Sequence, residues 1–140
     1  MTKYECRGAT GVYVIRPAHL ADVVCKNYNT IMKIAIIGSR NATVCDIGLY
    51  LPHGCDEIVS GGARGIDTCA ADYAHDTGIK LTVFRPDYDR YGKGAPLVRN
   101  REIVDYSDEV IAFWDGVSRG TYFVIDYCRR TGTPCRVIYV

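Results

Sequence analysis

An arginine set among glycines recurs in this chain at one spacing, Gly-x-x-Arg-Gly. One copy occupies residues 61–65 and the other residues 116–120; an apolar run precedes each copy and a helix-like stretch follows it. A strand that enters a glycine-rich turn before a helix presents backbone N–H groups at the positive end of the helix dipole, which suits a phosphate. The repetition indicates one shared site for a phosphorylated ligand, although ordinary tight turns of an α/β fold would carry the same glycines.

The arginines of the two copies, Arg64 and Arg119, can bind phosphate oxygens bidentately. Arg64 either contacts a ligand or points to solvent. Three glycines within residues 61–65 cost conformational entropy, which is understandable where the backbone must approach a ligand closely. Asp67 either caps the helix that follows or faces the site.

A third turn, Gly38-Ser39-Arg40, follows the apolar run 34–37 and combines a small residue, a hydroxyl and a guanidinium. It is either a plain strand-to-helix turn or a further contact to the ligand. Beside the second glycine copy, the hydroxyls of Ser118 and Thr121 can donate to phosphate oxygens. The carboxylate of Asp115 can accept from sugar hydroxyls or can simply stabilise a turn.

A further basic segment, Arg99-Asn100-Arg101, opens a predicted helix. Arg99 and Arg101 cannot both lie on one helix face, so we expect one of them to reach the site and the other to be solvated. Three rings form either an aromatic wall for a base or ordinary packing: Tyr88, Tyr91 and Trp114.

Apolar runs alternate with segments of helical periodicity from residue 33 onward. Strands are predicted at 34–37, 57–60, 80–84, 110–114 and 136–140. Helices are predicted at 43–51, 66–77, 96–107 and 121–131, with a polar loop over 86–94. This order predicts an α/β, Rossmann-like three-layer sandwich with a five-stranded, mainly parallel sheet. The glycine-rich turns then meet beyond the carboxyl ends of the strands, where strand order reverses.

Residues 1–31 differ from the rest and are predicted to be a short N-terminal extension, with the main domain at 32–140. Two short strands at 4–7 and 11–16 and a helix over 17–28 fit this segment. Pro17 would stand in the first turn of that helix.

The composition describes one ordinary globular domain. The chain has 140 residues, 48% of them hydrophobic, and a net charge of +1. The apolar runs are too short to span a membrane. The weak net charge does not favour a nucleic-acid-coating surface. The cysteines number seven, without a Cys-x-x-Cys pair, which indicates reduced thiols in a cytoplasmic protein and no metal site.

The ordered set of motifs resembles the SLOG superfamily, the Rossmann-like group that includes the Lonely Guy and DprA/Smf proteins, and within it the YspA branch related to YpsA. The segments that carry the resemblance are 34–40, 58–67, 99–100, 107–108 and 113–121. The resemblance implies binding of a nucleotide or nucleotide-derived ligand. It also implies a homodimer.

Two groups within this superfamily imply more specific activities. The Lonely Guy enzymes cleave the base–ribose bond of nucleoside monophosphates; Arg99 matches their arginine by its spacing from Asp108, and Gly116, Gly120 and Thr121 match their phosphate turn. Their catalytic glutamate falls at Val124 in this chain, which weighs against that activity. The DNA-processing branch shares residues 60–67 and binds single-stranded DNA, but the weak net charge here counts against that role.

The function expected from the sequence is binding of a phosphorylated, nucleotide-like small molecule, as a sensor or binding protein without a cofactor. A nucleoside-phosphate N-glycosidase is the alternative, with Asp115 and Arg99 as catalytic candidates and Asp67 as another acid. A single-stranded nucleic-acid-binding module is the least favoured. The expected ligand-binding residues are Gly38, Ser39, Arg40, Ser60, Gly61, Gly62, Arg64, Gly65, Asp67, Arg99, Asn100, Asp115, Gly116, Ser118, Arg119, Gly120 and Thr121.

Overall fold

The computed structural model describes residues 30–140 and, for residues 12–14, the backbone strand. The predicted strand at 4–7 and helix over 17–28 lie outside the described residues. Within the predicted strand 11–16, the structure shows a strand at Val12–Val14.

The described residues form one parallel sheet with the strand order β1-β6-β5-β2-β3-β4. Its strands are β1 Val12–Val14, β2 Lys33–Gly38, β3 Glu57–Ser60, β4 Lys80–Val83, β5 Glu109–Trp114 and β6 Cys135–Tyr139. The five predicted strands are therefore confirmed, and every pairing between them is parallel. The short strand β1 adds a sixth at the edge, where Val12 pairs with Cys135 of β6.

Three helices cover the two faces of the sheet: α1 Ile66–Thr77, α3 Ala95–Tyr106 and α4 Arg119–Thr131. The single-turn helix α2 Tyr88–Tyr91 contacts α3. One hydrophobic cluster joins α1 to the face that carries Ile34 and Phe113. A second cluster joins α3 and α4 to the face that carries Ala35 and Val110. The central strands β2, β3 and β5 are buried on both faces because helices lie on both, and the predicted Rossmann-like three-layer sandwich is confirmed.

The helix predicted over 43–51 is wrong. The structure has only a 3₁₀ turn, Ile47–Leu49, in that stretch. Asp46 begins this turn by accepting the N–H of Gly48, at 2.9 Å, so that a local side-chain bond replaces a helical one. Gly48 and the β-branched Thr43 and Val44 also lower the helix propensity.

The predicted loop over 86–94 is only partly a loop. It contains the single turn of α2 and a 3₁₀ turn at Gly92–Gly94. Asp87 caps α2 by accepting the N–H of Arg90 at 3.0 Å. Such short, capped turns leave no periodic apolar pattern in the sequence.

The strand order creates a crevice between β2 and β5. The chain runs from β2 to β3 and β4 on one side and then returns to place β5 on the other side of β2. The carboxyl ends of two such neighbours carry loops that diverge to opposite faces, which opens space for a ligand. No helix within the described residues is both long and apolar enough to cross a membrane.

Candidate functional site

A cavity of about 490 Å³ lies at the carboxyl ends of β2, β3 and β5. It is lined by the turns after these strands and by the N-terminal turns of α3 and α4. The three turns that the sequence placed at a common sheet edge therefore do meet in space.

Hydrogen bonds and close packing hold the turns together. Ser39 is buried; its N–H donates to the Phe113 carbonyl at 3.0 Å, and its hydroxyl oxygen accepts the N–H of Asp115 at 3.2 Å. Gly65 has φ +76° and packs so closely on the first turn that a Cβ would stand 2.5 Å from the Arg40 carbonyl oxygen. Only glycine fits that position, and the turn after β3 is thereby held against the turn after β2.

Three arginines line the cavity: Arg40, Arg64 and Arg99. Arg40 and Arg64 are exposed to solvent. The Arg64 Nη2 donates to the Asn41 side chain at 3.4 Å, which links the turns after β2 and β3. Arg119, in contrast, is exposed at the first position of α4 and does not line the cavity.

Arg99 is the buried member of this group, with 7% of its surface exposed. It donates to the carbonyl of Gly61, to that of Phe84 at 3.4 Å, and through Nε to the side chain of Asn100 at 2.9 Å. Burial lowers the pKa of Arg99, and the neighbouring carboxylate of Asp67 opposes that shift. Its guanidinium is thus fixed by the protein and supports the wall of the cavity. Arg101 is exposed, as expected for one of the pair.

The carboxylate of Asp67 lies in the same wall and is also buried. It accepts the N–H of Ala63 at 3.0 Å. Burial raises the pKa of Asp67, against the opposing effects of this hydrogen bond and of the positive charge on Arg99. Asp67 therefore does not cap α1, whose N-cap is Gly65; it stabilises the turn before the helix and lines the cavity.

Gly61 leaves space for both charged groups. A Cβ on Gly61 would lie 2.7 Å from the Arg99 Nη1 and 3.0 Å from Asp67 Oδ2. We expect Gly61→Ala to lower the free energy of unfolding by about 1–3 kcal/mol through overpacking. Urea denaturation checks this value. Gly120→Ala is the control, because a Cβ there meets open space; an equal loss in both variants would contradict the steric argument.

The raised pKa of Asp67 has a consequence for stability. The folded protein holds this proton more tightly than the unfolded chain, so stability falls as pH rises from 3.8, the ordinary pKa, through the raised folded value. Asp67→Asn keeps an acceptor for Ala63 and cannot ionise. We expect the free energy of unfolding of the wild type, relative to that of the variant, to decrease as pH rises across that window. Urea melts at a series of pH values measure the difference, and a constant difference would refute the assignment.

The N-termini of α1 and α4 are capped differently. At α4, Asp115 Oδ1 accepts the N–H groups of Val117 at 3.0 Å and Ser118 at 2.8 Å, and the Ser118 hydroxyl caps Thr121. At α1, the N-cap is Gly65, which offers no side chain. Backbone N–H groups at the start of α1 are therefore free of a capping side chain, and that end of the cavity is the one better suited to an anion.

The N–H groups of Val117 and Ser118 lower the pKa of Asp115 further below neutral pH, which favours its ionised form. A carboxylate held in this form accepts hydrogen bonds and is poorly suited to donate a proton. This property fits the expected contact to sugar hydroxyls better than the role of a catalytic acid.

The structure brings most of the expected site residues to the cavity: Gly38, Arg40, Gly61, Arg64, Asp67, Arg99, Asn100, Asp115, Ser118, Gly120 and Thr121. The others shape the turns without lining it: Ser39, Ser60, Gly62, Gly65, Gly116 and Arg119. Ser60, for example, is buried and its hydroxyl oxygen accepts the N–H of Gly62 at 3.3 Å. Ligand contact by any of these residues stays a prediction.

In the part of the chain that the structure describes, the predicted aromatic wall for a base is absent from the cavity, and Trp114 instead takes part in ordinary packing. Its ring lies 5.7 Å from that of Tyr122 and 5.8 Å from that of Tyr139, and its Nε1 donates to the Ser118 carbonyl. Tyr88 and Tyr91 are exposed and do not line the cavity.

Sequence reasoning missed the remaining lining residues: Ile37, Asn41, Ala63, Pro96, Leu97, Ile103, Val117 and Val124. Most are apolar, and an apolar side chain has no chemical signature that separates a cavity wall from a core. Asn41 was accessible to inference because it directly follows Arg40 in a turn already assigned to the site. Among residues 30–140, no group of His, Cys, Asp and Glu side chains is arranged to hold a metal ion.

The fold and the site define a Rossmann-like α/β protein with a cationic cavity at the point where strand order reverses. Residues 51–91, which carry β3, α1, β4 and α2, match the family described as YspA, cpYpsA-related SLOG family. This match confirms the resemblance to the SLOG superfamily and to its YspA-related branch. Neither the curated proteins nor the solved structures contain a match to the chain.

Proposed function

We propose that this protein binds a nucleotide or nucleotide-derived phosphorylated ligand in the cavity and acts as a sensor or binding protein. The observation that carries the proposal is the meeting of Arg40, Arg64 and Arg99 beside the start of α1, at the carboxyl ends of β2 and β3. Positive side chains beside a helix start that has no capping side chain favour a phosphate. The relation to the SLOG superfamily supports the same class of ligand.

The phosphate is assigned to the end of the cavity near α1. Gly65 caps that helix without a side chain, and Arg40 and Arg64 remain exposed, so their charges are available to a ligand. Arg99 contributes a fixed positive charge, although its hydrogen bonds to Gly61 and Asn100 occupy part of the guanidinium.

The sugar is assigned to the end near α4. The ionised carboxylate of Asp115 is an acceptor for hydroxyl groups, and the hydroxyls of Ser118 and Thr121 lie 3.1 Å apart beside it. A volume of about 490 Å³ falls within the usual range for small-molecule sites. A nucleotide therefore fits the cavity in both size and polarity.

Isothermal titration calorimetry tests the proposal. The ligands are nucleoside monophosphates, cyclic nucleotides and ADP-ribose, with the matching nucleosides and inorganic phosphate as controls. We expect at least one phosphorylated compound to bind more tightly than its phosphate-free counterpart. If none binds at millimolar concentration, the proposal is wrong.

An N-glycosidase is a second candidate, supported by Asp67. It is a cavity-facing acid whose pKa is raised by burial, a property useful to a proton donor. One observation counts against an N-glycosidase. Val124, a buried apolar residue that lines the cavity, stands where the Lonely Guy enzymes have their catalytic glutamate. Incubation with nucleoside monophosphates and chromatography for free base distinguishes cleavage from binding. Activity should vanish in Asp67→Asn, and release of base by that variant would exclude Asp67 as the acid.

A further inference from the structure

Two aliphatic side chains at the cavity are exposed to solvent. Leu97 has 44% of its surface exposed and Val117 has 80%, and both line the cavity. Leu97 lies in the first turn of α3, and Val117 lies in the turn between β5 and α4. Aliphatic surface left open at the rim of a polar cavity is surface that a ligand can remove from water.

The surroundings of these two residues form an apolar part of the cavity. The helices α3 and α4 pack on the same face of the sheet. Below the rim, the buried Ile103 of α3 and Val124 of α4 line the same space. The cavity thus has a cationic part at the turns after β2 and β3 and an apolar part between the N-terminal turns of α3 and α4.

No aromatic ring among residues 30–140 lines this space. The ring of Trp114 is engaged with Tyr122 and Tyr139. An apolar group bound here is therefore held by aliphatic contacts, which depend on buried area and not on a stacking partner. Flat heterocycles present such area on both of their faces.

We infer that Leu97 and Val117 form the two sides of a slot that holds the nucleobase of the ligand. This inference rests on the proposed function, because the phosphate site orients the ligand so that its base reaches the slot. Aliphatic contacts do not depend on the hydrogen-bonding pattern of a base. The slot therefore favours ligands that carry a base over ligands that lack one, and larger bases over smaller ones. Purine nucleotides then bind more tightly than pyrimidine nucleotides.

The experiment compares AMP, CMP and ribose 5-phosphate by calorimetry on the wild type and on Leu97→Ser and Val117→Ser. We expect AMP to bind the wild type about tenfold more tightly than ribose 5-phosphate, with CMP between them. Each variant should weaken AMP binding by about three- to tenfold and leave ribose 5-phosphate unchanged. Leu49→Ser is the matched control, since Leu49 is 67% exposed and does not line the cavity.

Each possible result of this calorimetry either supports or overturns the proposed slot. Unchanged binding of ribose 5-phosphate shows that a variant is folded and that its phosphate site is intact. Equal wild-type affinity for AMP and ribose 5-phosphate, or equal weakening of both ligands in a variant, overturns the slot and leaves the proposed function standing. If neither AMP, ribose 5-phosphate nor inorganic phosphate binds, the slot is overturned, and the complete nucleotide screen decides separately whether the proposed function fails.

Discussion

Replacing Arg99 with methionine is expected to lower the free energy of unfolding by about 3–5 kcal/mol, the usual cost of breaking a buried charged group away from its partners. The guanidinium donates to the carbonyls of Gly61 and Phe84, and both acceptors lose a partner in the variant. The carboxylate of Asp67, which is buried, loses a neighbouring positive charge. The aliphatic part of methionine restores volume and none of these interactions. Urea denaturation at neutral pH measures the loss.

The matched control lies two residues away. Arg101 is exposed and contacts the ring of Phe123, with its guanidinium carbon 5.6 Å from the ring centroid. Arg101→Met should change the free energy of unfolding by less than about 1 kcal/mol. If Arg99→Met cost no more than Arg101→Met, the assignment of Arg99 as the arginine that supports the cavity wall would be refuted.

The double variant Arg40→Gln with Arg64→Gln is expected to weaken binding of a phosphorylated ligand by about 100-fold. Both side chains line the cavity and are exposed, so their charges are free to meet a phosphate. A hydrogen bond to a charged group contributes about 1.5–3 kcal/mol, and two together account for a change of that size even when solvent screens part of it. Calorimetry with the best ligand of the nucleotide screen measures the affinity.

Arg119→Gln is the control for this double variant. Arg119 shares the Gly-x-x-Arg-Gly pattern with Arg64 but does not line the cavity, so its removal should weaken binding by less than about threefold. Raising the ionic strength should weaken the wild type more than the double variant. A larger effect of Arg119→Gln than of Arg64→Gln alone would place the phosphate at α4 and contradict its assignment to α1.

The sequence predicted the layers well because they depend on local periodicity. The segment 66–77 repeats apolar residues at helical spacing, ends at Gly78, and forms α1 with those bounds. The segment 43–51 has apolar residues too, yet it forms one 3₁₀ turn because Asp46 bonds to the backbone of Gly48. A short side-chain bond of this kind competes with helix formation without changing the apolar pattern.

The candidate site was predicted in part. Glycine and arginine mark turns and charge in a sequence, so the turns after β2, β3 and β5 were identified. The two copies of the Gly-x-x-Arg-Gly pattern look equivalent in the sequence, but Arg64 lines the cavity and Arg119 does not. The two arginines differ in position relative to their helices: Arg64 lies in the turn before the N-cap Gly65, whereas Arg119 is already the first residue of α4.

By itself the sequence determined the alternation of strands and helices, the turns that join them and the types of group available there, because these follow from residue neighbours along the chain. Only the tertiary structure decided that Arg99 is buried beside Gly61 and Asp67, that Asp67 holds its proton more tightly, and that Leu97 and Val117 line the same cavity. Burial and the distance between remote residues depend on how α3 and α4 pack against the sheet. No single segment of the chain contains that information.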